Sequence, residues 1–265
     1  MLRYSLANAK TEALKQSDEL KPFLANKRKI YSLDLLSGHS CPFAHECFSK
    51  AVVKNGKRSI QDGPHTKFRC FSASQEAQYT NVYNSRKNNF QLLRGLHLND
   101  MIAELSNSMP KNLGICRIHV AGDFFNRDYM FAWINMAMMH PDRLFYAYTK
   151  SLKYWVELED YVDNLDNFVL TASYGGRDDS MIDQHNLRFA KVVFSEAEAA
   201  ELGLNIDHDD SHAARPSLKN QSFSLLLHGT QPKDTDASKA LKALKGKGSY
   251  SRTKKPELTS EKSMV

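Results

Sequence analysis

GICRIHVAGDFFNRDYMFAWINMAMMHPDRLFYAYT, residues 114–149, is the stretch that decides the fold. Arg117 and His119 alternate with Ile118 and Val120, so Gly114 to Phe124 reads as a strand. Asn126 is a helix cap, and Arg127 to Met139 is the helix it opens. Arg143 to Thr149, rich in aromatic residues, reads as the next strand. Strand, helix and strand in this order make the repeating unit of a parallel sheet.

The rhythm continues on both sides. Downstream, Ser151 to Tyr161 reads as a helix, and Asn167 to Ser173 as a strand ending at the Gly175-Gly176 loop. Phe189 to Phe194 is a strand, Ser195-Glu196-Ala197-Glu198 a capping-box helix start, and Ser222 to His228 the last strand. Upstream, Ile30 to Leu36 reads as the first strand, ending in the turn cluster Ser37-Gly38-His39-Ser40. Residues 41–72 read as an irregular loop, with turn signals at Asn55-Gly56 and Asp62-Gly63-Pro64. Ser74 to Met109 reads as helical, its apolar stripe running through Leu92, Leu96, Met101 and Leu105. The polar residues 1–28 are expected to wrap the surface as a helix. The expectation is a single α/β domain of about six mainly parallel strands, open or curled into a partial (β/α) barrel, with an irregular cysteine loop after the first strand. The domain is expected over 1–230, followed by a basic, flexible tail over 231–265.

The chain has 265 residues, 42% hydrophobic and 25% charged, which suits a globular protein. No apolar run approaches the roughly 18 residues needed to cross a bilayer. Charges at Arg3, Lys10, Glu12, Lys15, Asp18 and Glu19 break up the start of the chain, so no secretory signal is expected there. The expected setting is a reducing cytoplasm, without membrane attachment. The net charge of +6 is concentrated at the end: residues 231–265 hold nine Lys and Arg against four acids. Such an end reads as a solvated tail, with a nucleic-acid-binding arm as the alternative.

In a reducing compartment clustered cysteines point to metal or catalysis rather than disulfides. Cys41 and Cys47 form a C-x5-C pair and Cys70 follows after 22 intervening residues, all beyond the end of the first strand. That rim is where parallel α/β folds hold ligands. Thiolates suit zinc or iron–sulfur clusters, and a cluster would also supply order to some 30 residues without regular structure. Cys41, Cys47 and Cys70 are therefore the expected ligands of an iron–sulfur cluster, most simply 4Fe–4S. The rival is zinc completed by His39, His45 or His65, in a nucleic-acid-binding protein that uses the basic tail. Cys116 starts its strand, roughly 23 Å from Asp123 at about 3.3 Å per residue, and is set apart from the other three.

Arg117, His119 and Asp123 share one face of their strand, which implies a cleft or barrel interior. Successive strand ends carry Asp123, Lys150 and Tyr174 or Asp178 to the same rim as the cysteines. Asp123 and Lys150 are the expected cofactor-binding residues of a pocket there, with a small molecule or a redox partner as its counterpart. His228, at the last strand end, faces the same rim, whereas His208 to His212 reads as a solvated loop.

Several of these segments together carry a resemblance. Cys41-Pro42-Phe43-Ala44-x-x-Cys47, Phe68-Arg69-Cys70-Phe71-Ser72-Ala73-Ser74-Gln75-Glu76, Arg117-Ile118-His119-x-x-Gly122-Asp123-Phe124 and Tyr146-x-Tyr148-Thr149-Lys150 resemble the phage gene product 88 domain family over most of residues 30–230. The resemblance implies a viral or mobile-element source, and with it a host-cell cytoplasm. More distantly, a cysteine loop after the first strand followed by a Gly-acid pair after the second is similar to radical S-adenosylmethionine enzymes. That likeness implies redox or radical chemistry, with S-adenosylmethionine at the open iron of a three-cysteine cluster. The chain lacks the C-x3-C-x2-C run of those enzymes.

Overall fold

The computed structural model describes residues 1–244. Its strands among these residues are β1 (Tyr4–Leu6), β2 (Lys29–Leu33), β3 (Ser49–Lys54), β4 (Lys57–Asp62), β5 (Leu113–Ile118), β6 (Leu144–Thr149), β7 (Phe168–Ser173), β8 (Phe189–Val193) and β9 (Phe223–Leu226). Its helices are α1 (Ala9–Glu12), α2 (Phe71–Gln78), α3 (Thr80–Leu93), α4 (Leu98–Ser108), α5 (Arg127–Met139), α6 (Leu152–Glu157), α7 (Glu159–Asp163), α8 (Ser180–Gln184), α9 (Glu196–Glu201), α10 (Ser211–Ala214) and α11 (Asp236–Ala243). Seven strands make one sheet in the order β1-β2-β5-β6-β7-β8-β9. Every pairing from β2 onward is parallel, while β1 is antiparallel to β2 at one edge. This is the expected mixed α/β domain. The sheet is open, running from β1 to β9 without closing into a barrel.

Alternation along the central strands explains why both faces are covered. On β6, Phe145 and Ala147 point into one core, and Leu144 and Tyr146 into another. Cys116 and Ile118 on β5, with Phe168, Leu170 and Ala172 on β7, join the first core. There α4, α5 and α6 bring Met101, Leu105, Trp133, Met136, Leu152 and Trp155 against the sheet. Trp133, Tyr129 and Phe145 are fully buried, and aromatic residues of that size dominate the energetics of such a layer. On the opposite face, Ile30, Ile115, Tyr146, Val169 and Phe223 are covered by Leu14 and Leu20 of the N-terminal segment and by Ala213 and Ala214 of α10. The backbone of that segment comes so close to β5 that a Cβ on Gly114 would sit 2.2 Å from the Phe23 carbonyl oxygen. Only glycine fits there.

Local signals held where the sequence carried caps. Asn126 accepts from the Tyr129 amide and opens α5 at Arg127, and Ser195 accepts from Glu198 to open α9. Three expectations change. The start of the chain is not a surface helix: it adds edge strand β1, the single turn α1 and two 3-10 segments at Ala13–Gln16 and Asp18–Leu24. The helical stretch 74–109 is three helices, α2, α3 and α4. Residues 41–72 are not irregular throughout, because β3 and β4 pair as a hairpin in register from Ser49↔Asp62 to Lys54↔Lys57. Its turn is Asn55-Gly56, both left-handed (φ 50° and 73°), which matches the twist that hairpins need.

Past β9, Gln231 accepts from the Arg69 amide, and α11 packs Ala237 and Leu244 with Val193, Leu226 and Leu227. The part of the expected tail over 245–265 lies outside the described residues. Among those described, no helix is long and apolar enough to cross a membrane.

Candidate functional site

Beyond β2 the chain is pinned over the sheet's C-terminal rim. Glu76 of α2 accepts from the Ser37 amide (3.0 Å) and hydroxyl (2.8 Å) and from Arg86 (3.1 Å). The loop holding Cys41 and Cys47 then meets the loop after β7. His45 and Glu46 amides donate to the Gly175 carbonyl (3.1 and 2.9 Å), and the Arg177 amide donates to Phe43 (2.9 Å). Gly175 adopts φ +91° to present that carbonyl, while Asp179 holds the Gly175 and Gly176 amides at 2.8 Å each. Arg69 clamps Asp62 of β4 with Nε and Nη2 (3.1 and 2.5 Å), tying the hairpin to the start of α2.

Between this loop and the sheet lies a cavity of about 230 Å³. Its wall is built from strand ends: His119 to Asp123 after β5, Tyr148 to Lys150 at β6, Ser173 at β7, Val192 on β8, and Leu225 and His228 at β9. Cys41, Cys47 and Cys70 complete it from above, whereas Cys116 is buried in the core under the helices.

The three thiols thus share a cavity, but they do not form a ligand set. Among the described residues no group of three or more His, Cys, Asp or Glu side chains is arranged to hold a metal ion. This overturns the expected iron–sulfur function and the zinc alternative. The order that a cluster was invoked to supply comes instead from the β3–β4 hairpin and its ties to α2 and β7. Burial pushes the Cys41 and Cys47 thiols up. Of the histidines expected for zinc, His39 Nε2 lies 3.1 Å from the Ala51 carbonyl, and His45 stacks on His65 at 4.4 Å.

Asp123 and Lys150 are both in the cavity wall and both buried. Asp123 Oδ1 accepts from the Thr149 hydroxyl (2.6 Å) and the Phe124 amide (2.7 Å), and Oδ2 from the Lys150 amide (2.8 Å). Its carboxylate therefore staples the β5 exit to the end of β6. Burial raises its pKa, against the pull of those bonds and of the Lys150 charge. Lys150 Nζ donates to the Ser173 carbonyl (3.1 Å), Ser173 Oγ (2.6 Å) and the Tyr174 carbonyl (2.9 Å).

The residues expected to share one face of β5 divide: Arg117 faces the 207–210 segment, whereas His119 turns to Tyr129 of α5. Arg117 pairs with Asp210, which also takes Lys10 (2.9 Å) and the Tyr146 hydroxyl (3.1 Å). Asp207 and Asp210 are buried at 1% and 0% exposure, so the segment expected as a solvated loop supplies the anionic centre of this face. A run of His, Asp and Ser carries no apolar signal of burial, and Lys10 returns from the far end of the chain.

His119 ends the strand in a left-handed conformation (φ 69°), an uncommon one for a residue with a Cβ. Its Nε2 lies 3.0 Å from the Tyr129 hydroxyl, while its buried Nδ1 has no hydrogen-bond partner among the described residues. Burial, and then the Arg117 charge, press its pKa down to about 3. Unfolded histidine titrates near about 6.5, so between these values the unfolded chain binds a proton that the fold refuses, and stability is lost as pH falls. Urea titrations should show the wild type losing about 2 kcal/mol more between pH 7 and pH 5 than His119→Gln. Parallel curves for the two proteins would contradict the buried neutral imidazole.

The fold and the site together define the class: an open, mainly parallel α/β domain with a cavity at its C-terminal rim. The chain belongs to the Gene product 88 family, whose model matches residues 3–245. It is similar to the Gene 88 protein of Mycobacterium phage L5, at 28% identity over 155 residues, 55% of this chain and 58% of that protein. The match thus spans little more than half of the relative's length. No solved structure matches the chain.

Proposed function

We propose that the chain binds a compact small molecule in the rim cavity, with Asp123 organising the wall and Lys150 and the cysteine loop closing around the occupant. The observation that carries this reading is the convergence of five parallel strand ends and one pinned loop on one cavity whose mainly apolar wall carries a few polar groups. Rims of parallel sheets are where such ligands sit. At about 230 Å³ the space lies below the roughly 300–1,000 Å³ usual for drug-sized ligands, which limits the occupant's size. The three cysteines serve as reporters in the wall.

The test is a panel of nucleotides, sugar phosphates, amino acids and polyamines, added to the full chain. Melting temperature and the iodoacetamide alkylation rate of Cys41, Cys47 and Cys70 are read by fluorescence and peptide mass spectrometry. At least one panel member should slow alkylation about tenfold and stabilise the fold by about 2.7 kcal/mol at a hundred times its Kd. Val192→Trp, which fills part of the wall, should remove both effects while circular dichroism stays unchanged. Alkylation rates that no panel member alters would refute the proposal.

A further inference from the structure

We infer that the occupant of the rim cavity is an oxyanion, a carboxylate- or phosphate-bearing molecule held by Lys150, Tyr148, Ser173 and His119. This rests on the binding reading above and adds the charge of the ligand.

The argument begins with the cations of the wall. Arg69 has Asp62, and Lys10 and Arg117 share Asp210. Lys150 is 8% exposed, yet among the described residues no carboxylate lies within 4.0 Å of its ammonium. Its three hydrogen bonds go to neutral oxygens of Ser173 and Tyr174. Asp123 feels its charge, but the carboxylate oxygens are taken by Thr149 and by two backbone amides. A buried charge without a counter-ion is costly, and an anion in the cavity would offset that cost.

The wall also carries polar atoms that the protein leaves unused. Among the described residues, neither the buried Tyr148 hydroxyl nor His119 Nδ1 has a hydrogen-bond partner. Buried polar groups are nearly always paired, so two such atoms in the wall of one cavity point to a missing partner. Past the Ile118–Ala147 pairing, His119 turns to Tyr129 on the α5 side and Tyr148 packs on Phe223 on the other, so the two residues line the cavity from opposite faces of the sheet. Ser173 Oγ accepts from the Lys150 ammonium at 2.6 Å, which keeps its own proton for donation. When the Tyr129 hydroxyl donates to Nε2 of the neutral imidazole, Nδ1 carries the ring proton and becomes a donor too. Hydroxyl donors beside an ammonium whose own three bonds go to neutral oxygens select an acceptor-rich anion through the field of that charge.

The probes are inorganic phosphate and citrate, compared with sodium chloride at equal ionic strength and with spermidine, all in Tris buffer. Phosphate or citrate should slow alkylation of Cys47 at least fivefold in the full-length protein. Lys150→Met should abolish that protection. Tyr148→Phe should weaken it several-fold and leave folding intact, since the lost hydroxyl has no partner in the protein. Protection that persists in both variants, or that chloride matches, overturns the inference. A neutral or cationic panel compound that protects the thiols as well in Lys150→Met as in the wild type would leave the binding reading standing and end the oxyanion assignment. If nothing of any charge protects, both fail together.

Discussion

Asp123→Ala should lower unfolding stability by about 3–5 kcal/mol, because it strands three buried donors that each cost about 1–3 kcal/mol when unpaired. Those donors are the Thr149 hydroxyl and the amides of Phe124 and Lys150, all within 2.8 Å of the carboxylate. Asp123→Asn keeps the shape and one acceptor oxygen, and should lose less than half as much. The two variants separate the staple from the charge. Lys150 should lose its fixed position in the alanine protein, so phosphate protection of Cys47 should fall together with stability. Equilibrium urea unfolding of both variants checks the ordering. An alanine variant as stable as the wild type would mean that the β5 and β6 ends are held by something else.

A second large loss is expected from Asp210→Ala. Arg117 and Lys10 would then be left facing each other, at 15% and 8% side-chain exposure, without their shared anion. Breaking a buried ion pair from one side typically costs about 3–5 kcal/mol. Lys10→Met should be milder, because Arg117 still neutralises the carboxylate. The pH dependence has a definite sign. Burial works to raise the Asp210 pKa, but Arg117 and Lys10 outweigh it and hold the carboxyl below its usual range. Its folded pKa is therefore below the unfolded value, and its contribution is complete above about pH 4 and lost only as pH falls through the lower folded pKa. Thermal melts at pH 7 and pH 5 should show the same penalty for Asp210→Ala. A penalty that vanishes by pH 5 would contradict the ion cluster.

These two carboxylates show what the sequence could and could not reveal. Asp123 was legible because it follows an alternating strand and a glycine, a position that parallel sheets turn into a rim. Asp210 was not, because its burial depends on Lys10 and Arg117, 200 and 93 residues away along the chain. The same contrast runs through the elements. The start of α5 could be read from Asn126 alone, since a cap acts within one turn. The β3–β4 hairpin announced its turn at Asn55-Gly56, but β4 is half exposed and largely polar, which hides the strand period. Edge strand β1, three residues long, is too short to show any period. For the cysteines, spacing could place three thiols in one neighbourhood; whether they meet at a point depends on how the loop, the hairpin and α2 fold over the rim, which spacing does not encode.

In the sheet, spatial neighbours follow chain order from β1 to β9, with only the β3–β4 hairpin left out. A sheet ordered this way has no reversal point to open a crevice of its own. The crevice exists because residues 37–72, which add no strand to the sheet, are laid across it as a roof. Loops tolerate sequence change that cores do not. Closure and recognition are thereby divided: a lineage that rewrites the roof can reshape how the occupant is covered, while the groups that hold it stay on the beams beneath.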